Sequence, residues 1–421
     1  RLAAAIGAAA GKCVGLSSSD WVRIGDEILD EGDYSGPAGA RLAVRDSRVE
    51  MAIIETARGG LMRRGLPVPT ADVCLLTNVA ADHLGSYGVM DVTALADAKF
   101  QLSEAVRPGG RLVLNADDPE LVARSARYSG SITWFAMNFN QASLDVWIAN
   151  GGRAAFVSDG HMMLARDGEI HMVLAVDDFI PALGGAAQFN IYNALGAIGL
   201  ADGLGLPIDA MAKGLAGFTD SPDENPGRGN YMEVGGIKLL IDFAHNPHGL
   251  LALAPAIKSI PAERRLVLLH GWGADADDLL ELGPLLVGPE VSVIALRAPE
   301  AHPYGPGRQW YGLQPIDWGQ LPAARQSLQQ RLEELGQSVP LAQTVLLGFS
   351  QGGAMALQAG LRYPEKLADH YYEGGTSGTP TLDGGRVYTL SKSGIALCLD
   401  SGTGKVVWSR NLATELGIKI P

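Results

Sequence analysis

The amino-acid sequence predicts an α/β protein with two parallel-sheet domains and a short C-terminal β-meander. From residue 1 to about 265, apolar strands alternate with segments of helical periodicity, which is the pattern of a parallel α/β sheet. The alternation resumes from about 266 to 368 and predicts a second doubly wound sheet. Residues 369–421 instead carry short strands separated by D-G-G and S-G-T-G turns, which are typical of β-hairpins.

The composition argues against several classes of protein. Hydrophobic residues make up 47% of the 421 residues and charged residues 19%, which is typical of a globular chain. The formal net charge of -13 argues against a broad nucleic-acid interface, although a nucleotide pocket needs only a few cations. No apolar run reaches the roughly 20 residues of a membrane span, and the three distant cysteines favour neither disulfides nor a cysteine zinc site. We therefore expect a cytoplasmic protein.

Periodicity predicts the elements of the first stretch one by one. The strands are the apolar runs Val49–Glu55, Val73–Val79 and Arg111–Leu114. The helices are Val92–Val106, Asn190–Leu204 and Gly249–Lys258. Residues 131–176 are predicted to form shorter strands, and a second strand-rich unit begins near Asn230 with Ile237–Phe243.

The remaining two stretches are predicted in the same way. The strands of the second are Arg265–Leu269, Val291–Leu296 and Thr344–Phe349, its helices lie around Asp277–Leu286, Ala323–Leu335 and Gly352–Arg362, and Pro299–Pro315 is a loop. The strands of the third are Arg386–Leu390, Ile395–Leu399 and Val406–Trp408. We expect the strand at 237–243 to join those of the second stretch in one hybrid parallel sheet. The predicted domains are residues 1–225, 226–368 and 369–421.

The segment Gly7–Cys13 has some features of a phosphate-binding loop. Three residues, not four, separate its glycines, and Cys13 stands where that loop needs a hydroxyl for Mg²⁺. The segment instead predicts a helix that ends near Gly11 with Lys12 beside it. Because the chain opens at Arg1 within this helix, we expect that its natural beginning is missing.

Two polar motifs follow buried strands of the first stretch. E-T-A-R-G-G begins at Glu55, and T-N-V-A-A-D-H-L-G, beginning at Thr77, contains His83. Because the carboxyl ends of parallel strands face the ligand crevice, a carboxylate and an imidazole arriving there predict a divalent-metal site near phosphates. Each motif alone is also explained as a simple turn.

The motifs of the first stretch resemble those of the Mur-ligase family, specifically the Mur-ligase-like region of cyanophycin synthetases. The two motifs above are followed in family order by L-N-A-D-D-P, F-N-I-Y-N-A, P-G-R and I-D-F-A-H-N-P-H-G, which begin at Leu114, Phe189, Pro226 and Ile241. The resemblance covers residues 1 to about 265. It implies an ATP-dependent ligase that joins a carboxylate to an amine through an acyl phosphate, here arginine to an aspartate side chain.

The resemblance also implies roles for individual residues. Glu55 and His83 would hold Mg²⁺, and Lys99 falls where several family members carry a carbamylated lysine. A lysine on an exposed helix face would otherwise simply be solvated. Asn190 and Asn193 would approach the adenine.

The remaining implied roles concern the ribose and phosphate side of the nucleotide. Arg228 would bind the phosphates and Asp242 the ribose, and His245 and Asn246 would line the same edge. A strand end followed by a helix N-cap also explains the segment from Asp242 to Asn246, and both interpretations can hold together.

The sequence departs from the family in one important respect. The G-T-N-G-K-T loop of the family is not among the 421 residues, so the γ-phosphate lacks its usual cradle and we expect impaired activity. The polymer-building ATP-grasp half of cyanophycin synthetases is also not among them.

The second stretch carries the elements of a serine hydrolase. G-F-S-Q-G-G, with Ser350 at its centre, follows a strand and precedes a helix, which is the nucleophile elbow. With the H-G pair ending at Gly271, it resembles the carboxylesterase, lysophospholipase and acyl-protein-thioesterase branch of α/β-hydrolases. The resemblance implies Ser350 as nucleophile and Gly271 and Gln351 as oxyanion donors. The triad needs an Asp and then a His downstream, and only the adjacent pair Asp369-His370 follows.

The third stretch, from Gly378 to Trp408, resembles one blade of a pyrroloquinoline-quinone-type β-propeller. One blade cannot bury both of its faces, and we assign it no site. Each of the three resemblances lacks a part that its family needs: the phosphate-binding loop of the ligase, the Asp and His of the hydrolase triad, and the other blades of the propeller. We therefore interpret the chain as a chimera. The function classes left open are an ATP-dependent ligase acting on small or peptide-like carboxylates and amino acids, a serine esterase or thioesterase, and an inactive folded chimera; an oligomer is possible in each case.

Overall fold

The fold is taken from a computed structural model of the chain. The structure describes residues 1–82, 84–219, 221, 224–234, 237–244, 246–259, 265–289, 291–313, 316–361, 381–383, 386–390, 395–400 and 406–411. The chain divides into two compact units. The first comprises Arg1–Met232 and Leu239–Ser259, and the second comprises Glu233–Lys238 and Ile260–Pro421.

Two sheets and their helices make up most of the first unit. Its strands, together with a hairpin at the division between the units, are β1 (Val14–Ser17), β2 (Trp21–Ile24), β3 (Glu27–Glu31), β4 (Met51–Ile54), β5 (Ala71–Leu76), β6 (Val106–Asn115), β7 (Ser131–Ala136), β8 (Arg153–Ser158), β9 (His161–Arg166), β10 (Glu169–Ala175), β11 (Arg228–Val234) and β12 (Ile237–Asp242). Its helices are α1 (Leu2–Ala9), α2 (Pro37–Arg45), α3 (Arg58–Arg64), α4 (Val92–Phe100), α5 (Pro119–Ser125), α6 (Gln141–Ala149), α7 (Gln188–Gly203), α8 (Ile208–Ala216) and α9 (Pro247–Ser259). Short 3-10 turns cover Gln101–Ala105, Val176–Asp178 and Ile180–Ala182.

The larger sheet has the strand order β10-β9-β8-β7-β6-β5. The pairs from β5 to β8 are parallel, and those from β8 to β10 are antiparallel. Successive residues of β6 face opposite sides, so Val113 joins the core around α7 while Leu112 and Leu114 pack with α4 and α5. Helix α7 is buried over most of its surface and packs on β5, β6 and β7.

The smaller sheet of the first unit has the order β3-β2-β1-β4 and pairs β1 in parallel with β4. Helix α1 packs on α7, α8 and β1. It ends at Ala9, and Gly11 follows with a φ of 78°. The interpretation of Gly7–Cys13 as a helix end, not a phosphate loop, is therefore confirmed.

A three-stranded parallel sheet is the centre of the second unit. Its order is β14 (Ser292–Leu296), β13 (Arg265–Leu269) and β17 (Thr344–Gly348). All five residues of β13 are buried, as expected of a strand covered on both faces. The helices are α10 (Asp277–Leu280), α11 (Gly283–Leu286), α12 (Leu321–Gly336) and α13 (Gln351–Leu361), with 3-10 turns at Trp318–Gln320 and Leu341–Gln343.

The described C-terminal strands form an antiparallel meander. They are β18 (Thr381–Asp383), β19 (Arg386–Leu390), β20 (Ile395–Asp400) and β21 (Val406–Asn411), in that order across the sheet. The predicted α/β class with a C-terminal β-meander is confirmed. The resemblance of residues 369–421 to a propeller blade stays a prediction.

The expected hybrid sheet is only partly correct. The strands at 265–269, 292–296 and 344–348 do form one parallel sheet. The strand predicted at 237–243, by contrast, is β12 and pairs with β11 in a separate two-stranded sheet. Only two residues separate β11 from β12 along the chain, so this pairing closes a far shorter loop than pairing with β13 would.

Two helix predictions need correction. Residues 131–176 were expected to contain strands alone, but α6 lies among them, because Asn140 caps its first turn and Leu144 and Ile148 share one buried face. The helix predicted over Asp277–Leu286 is two short helices, α10 and α11, with a proline in the first turn of the second.

Two further departures are smaller. The helix predicted to reach Val106 ends at Phe100 and continues as a 3-10 turn, because β6 begins at Val106. The loop at Pro299–Pro315 contains a hairpin of two short strands, β15 (Glu300–Ala301) and β16 (Arg308–Gln309).

Candidate active site

Side chains tie together the carboxyl ends of β5, β6 and β7. Asn115 Nδ2 donates to the carbonyl oxygen of Thr77 at 3.0 Å, which joins the end of β6 to the end of β5. Asp117 Oδ2 accepts from the backbone N–H groups of Met137 at 2.9 Å and Asn138 at 3.2 Å, just beyond β7. The L-N-A-D-D-P motif thus holds three strand ends in one arrangement.

Asp118 of the same motif fixes the chain beyond β5. Its Oδ1 accepts from the backbone N–H groups of Glu120 and Leu121, which caps α5, and its Oδ2 accepts from the N–H of Val79 at 2.6 Å. The side chain is 6% exposed. The motif that contains Asp82 and His83 therefore starts from an anchored backbone.

Lys99 on α4 is directed at this anchored segment. Its side chain is half-buried, and its Nζ donates to the carbonyl oxygen of Asn78 at 3.2 Å. Burial lowers the pKa of Lys99, the charges of Asp82 and Asp118 oppose that shift, and the charge of Arg58 adds to it. Lys99 is therefore not a freely solvated surface lysine, and it loses its proton more readily than a solvated lysine does.

An arginine–tyrosine contact joins the two strand-end motifs. The guanidinium carbons of Arg58 and Arg63 each lie 5.8 Å from the ring centre of Tyr87, which follows the D-H-L-G sequence. Glu55 lies just beyond β4, is exposed, and accepts from the backbone N–H of Ser19 at 3.3 Å. His83 lies outside the described residues.

The donor set at these strand ends fits a magnesium ion that is bound together with a nucleotide. Within the described ranges, no three His, Cys, Asp or Glu residues are grouped closely enough to form a metal cage. Mg²⁺ commonly takes one or two protein carboxylates and completes its shell with phosphates and water. The exposed carboxylate of Glu55 suits that mode of binding, whereas it would not suit a structural zinc site.

The F-N-I-Y-N-A and P-G-R motifs lie against each other. Asn190 is 3% exposed, and its Nδ2 donates to the carbonyl oxygen of Pro181 at 2.8 Å. Gly229 has a φ of 73°, and a Cβ at Gly229 would lie 3.2 Å from Phe189 Cζ and 3.3 Å from Asn190 Nδ2. Asn193 is exposed one turn further along α7. The structure thus brings the start of β11 to the first turn of α7.

The residues that follow β12 form a strand end and a helix cap. Asp242 Oδ1 accepts from the N–H of Ala244 at 2.7 Å, and Asn246 Oδ1 accepts from the N–H of Gly249 at 2.8 Å in the first turn of α9. The N-cap interpretation of this segment is confirmed. The guanidinium carbon of Arg228 lies 5.1 Å from the ring centre of Phe243, while His245 is outside the described residues.

The second unit contains a strained serine elbow. Ser350 follows β17, is exposed and has a φ of 53°, a conformation that non-glycine residues rarely adopt. A Cβ at Gly348 would lie 2.0 Å from the carbonyl oxygen of Gly352, and a Cβ at Gly352 would lie 2.2 Å from that of Leu269. Both positions require glycine because the backbone passes too closely for a side chain.

Two of the proposed oxyanion donors are backbone groups next to Ser350. A Cβ at Gly271 would be 3.2 Å from Ser350 Cβ, so the H-G pair contacts the elbow. The backbone N–H of Gln351 opens α13 and has no acceptor within that helix. The side chain of Gln351 serves a different purpose, accepting from the N–H of Trp310 and donating to the carbonyl of Tyr311.

His270 is not available as a general base for Ser350. It is buried, its Nε2 accepts from the backbone N–H of Ala298 at 3.0 Å, and its Nδ1 lies 2.8 Å from the carbonyl oxygen of Gly271. Both ring nitrogens are therefore engaged with the backbone. Asp369 and His370 lie outside the described residues.

Several polar residues of the first unit could not be assigned a role from the sequence. Asp117, Asp118 and Tyr192 lie inside motifs that were identified, but no role followed from the motifs for them. Tyr192 donates to Asp117 Oδ2 at 2.7 Å across 75 residues of sequence. The signal available in the sequence was the D-D pair before Pro119, which is typical of a helix cap.

Comparisons with known families agree with the Mur-ligase and hydrolase resemblances. Residues 21–201 match the Mur ligase middle domain, and residues 256–376 match the Phospholipase/Carboxylesterase family. No helix in the described part of the chain has the length and apolar character to cross a membrane.

The curated relatives include cyanophycin synthetases. The protein of that name from Synechocystis sp. is 37% identical over 287 residues, which cover 68% of this chain and 33% of the relative. The one from Nostoc sp. is 35% identical over 286 residues, covering 68% of this chain and 32% of the relative. The chain thus spans about one third of the length of these relatives.

Solved structures show the same fold. MurF from Acinetobacter baumannii aligns with a TM-score of 0.56 at 16% identity, covering 86% of this chain and 73% of that one. A point mutant of L. casei FPGS aligns with a TM-score of 0.53 at 18% identity, covering 85% of this chain and 86% of that one. The chain therefore has the mixed α/β fold of these two proteins, and its residues 21–201 are similar to the Mur ligase middle domain.

Proposed function

We propose that the first unit is the nucleotide-binding part of an ATP-dependent ligase that forms amide bonds. The observation that carries the proposal is the convergence of Mur-ligase motifs at the strand ends, tied by Asn115–Thr77, Asp118–Val79 and Lys99–Asn78 hydrogen bonds. The cyanophycin synthetases and Mur ligases to which the chain is similar support an amide ligase over other nucleotide-binding enzymes.

The reaction would proceed in two steps. A substrate carboxylate oxygen attacks the γ-phosphorus of ATP, which forms an acyl phosphate and releases ADP. The substrate amine then attacks the acyl carbon, so that the amide forms while inorganic phosphate and a proton leave. Mg²⁺ would neutralise the charge that develops on the phosphates. The proposed substrates are arginine and the side-chain carboxylate of aspartate, which follow from the cyanophycin synthetase resemblance.

The described residues suit these tasks in different ways. Glu55 offers an exposed carboxylate for the ion, and His83 is its proposed partner. The lowered pKa of Lys99 favours the neutral amine that carbamylation requires. The resulting carbamate would add a negative charge beside the site, where it could orient the ion.

The nucleotide would lie along the other motifs. Asn190 and Asn193 would contact the adenine and Arg228 the phosphates. Asp242, with His245 and Asn246, would line the ribose side. The side-chain oxygen of Asn246 accepts one backbone hydrogen bond and has a second lone pair for a further one.

Nucleotide binding tests this proposal directly. Titration calorimetry should show that Mg²⁺ strengthens ATP binding, and Glu55→Ala or His83→Ala should abolish that enhancement. Glu50→Ala is the matched control, because Glu50 precedes β4 at its opposite end and pairs with Lys12 at 3.5 Å. Because the 421 residues contain no G-T-N-G-K-T loop, we expect weak binding and impaired turnover from a polypeptide limited to them. An affinity for ATP that is the same with and without Mg²⁺ would contradict the proposal.

A second candidate function is a serine esterase or thioesterase in the second unit. The φ of 53° at Ser350 and the glycine contacts around it favour this candidate. A fluorophosphonate probe should label Ser350 and not the Ser350→Ala variant, although slowly, because removal of triad members costs several orders of magnitude in rate. A folded chimera without either activity would show neither Mg²⁺-dependent ATP binding nor labelling.

A further inference from the structure

The carboxylate of Asp117 accepts three hydrogen bonds, two from the segment that follows β7 and one from α7. Asp117 Oδ2 accepts from the N–H groups of Met137 and Asn138, beyond β7, and from the hydroxyl of Tyr192 on α7 at 2.7 Å. Asn138 Nδ2 also lies 3.5 Å from the Tyr192 hydroxyl. Because Met137 and Asn138 follow β7 directly, Tyr192 is tied to the strand ends and not merely to a loop.

Side-chain hydrogen bonds of this kind hold the N-terminal part of α7. Ala187 at the N-cap makes no side-chain cap, so the helix lacks the usual acceptor at its start. Two side-chain bonds hold the N-terminal part of the helix instead, one from Asn190 in the first turn to the carbonyl of Pro181 and one from Tyr192 in the second turn to Asp117. They leave the helix on different sides, since residues two apart in a helix differ by about 200° in direction. The pair therefore restrains both the position and the rotation of this part of the helix.

The rotation of this part of the helix decides where two proposed adenine contacts lie. Asn190 and Asn193 are three residues apart and share one face of α7, and Tyr192 lies between them in the sequence. We propose that Tyr192 is a positioning residue, whose hydroxyl, held by Asp117, sets the rotation of α7 so that Asn190 and Asn193 meet the nucleobase. This inference rests on the proposed nucleotide-binding function.

The hydrogen bond between Tyr192 and Asp117 should persist over the physiological pH range. Burial and the neighbouring Asp117 raise the pKa of Tyr192, so its hydroxyl stays a donor throughout the physiological range. A hydrogen bond to an ionised carboxylate is stronger than one between neutral groups. A phenylalanine at this position would keep the ring and lose only the link.

The test compares ligands with and without the base. Tyr192→Phe should weaken binding of ATP about tenfold, the effect of losing one charged hydrogen bond, while binding of inorganic tripolyphosphate stays unchanged. Tyr128→Phe is the matched control, because Tyr128 packs in the core on the other face of the large sheet and should leave both affinities unchanged. Equal losses for ATP and tripolyphosphate, or no loss for ATP, would overturn the inference.

A second variant guards against a simple folding defect. Asp117→Ala should weaken ATP binding at least as much as Tyr192→Phe, because it removes the acceptor of Tyr192 and also that of Met137 and Asn138. The double variant should lose no more than Asp117→Ala alone, because no link between the two side chains is left for the second substitution to break. Additive losses would contradict the positioning role. If the unsubstituted chain bound no ATP, the proposed function would fail and the inference with it; if it bound ATP and Tyr192→Phe did not differ from it, only the inference would fail.

Discussion

The strand ends of the first unit and the serine elbow of the second are built by opposite means. In the first unit, carboxylate and amide side chains reach across to backbone groups of neighbouring strands, as Asp118 does to Val79 at 2.6 Å. In the elbow, the backbone itself comes so close that Gly348 and Gly352 leave no space for a side chain. The first site should therefore be sensitive to removing atoms, and the second to adding them.

Adding one methyl group to the elbow should have the largest effect. Gly352→Ala would place a Cβ 2.2 Å from the carbonyl oxygen of Leu269. Because the obstacle is backbone, we expect a loss of about 3 kcal/mol in the free energy of unfolding, at the upper end for overpacking. Chemical denaturation measures this loss, and fluorophosphonate labelling of Ser350 should disappear with it.

The same methyl group elsewhere in the unit serves as the control. A Cβ at Gly288 meets no atom within 4 Å, and this glycine has no positive φ, so Gly288→Ala should leave stability and labelling nearly unchanged. Equal stabilities of the two variants would show that the elbow can relax and that its close packing is not a constraint.

Removing atoms from the first site should have the next largest effect. Asp118→Ala takes away the cap of α5 and leaves the buried N–H of Val79 without its acceptor. We expect a loss of about 2 kcal/mol in the free energy of unfolding, of which about half is the cap and half the unsatisfied donor.

A second capping aspartate separates these two contributions. Asp91 caps α4 through the N–H of Ala94 at 2.7 Å and is exposed. Asp91→Ala should therefore cost only the cap, about 1 kcal/mol. If chemical denaturation gave the same loss for both variants, the link from Asp118 to Val79 would contribute nothing to stability.

The sequence predicted the strands better than their partners. Arg265–Leu269 was predicted with the observed bounds, since a run of buried apolar residues marks a central strand by itself. The predicted partner of the strand Ile237–Phe243 was wrong, because the residues of a strand do not specify which neighbour it pairs with. For a similar reason, α6 was missed where short apolar runs suited either helix or strand.

In the candidate site, too, features set by neighbouring residues could be predicted, and contacts between residues far apart in the sequence could not. The strand-end motifs could be located from the sequence, and the cap role of Asn246 followed from its place before a helix. The bond between Asp117 and Tyr192 could not be predicted, because it joins residues 75 positions apart and depends on how α7 packs on the sheet. Likewise, only the structure shows that Lys99 is half-buried and directed at Asn78.

Lys99 gives the smallest and most specific prediction for the first site. Burial lowers its folded pKa below the unfolded value of about 10.4. Below the folded pKa, the ammonium is charged in both states and the native state bears the full desolvation cost. As the pH rises from the folded towards the unfolded pKa, the native state loses its proton first, so that cost disappears.

Replacing Lys99 with an uncharged side chain of similar length should therefore help only where the ammonium is charged. Lys99→Met removes the hydrogen bond to Asn78 at every pH, but it removes the desolvation cost only where the ammonium is charged. The stability of this variant relative to the unsubstituted chain should therefore be highest at neutral pH and fall as the pH approaches about 10. Denaturation curves across this range test the prediction, with Lys213→Met on the exposed face of α8 as the control that should show no such dependence. A gain that grew with pH would show that the charged ammonium, and not the neutral amine, is the form that the strand ends favour.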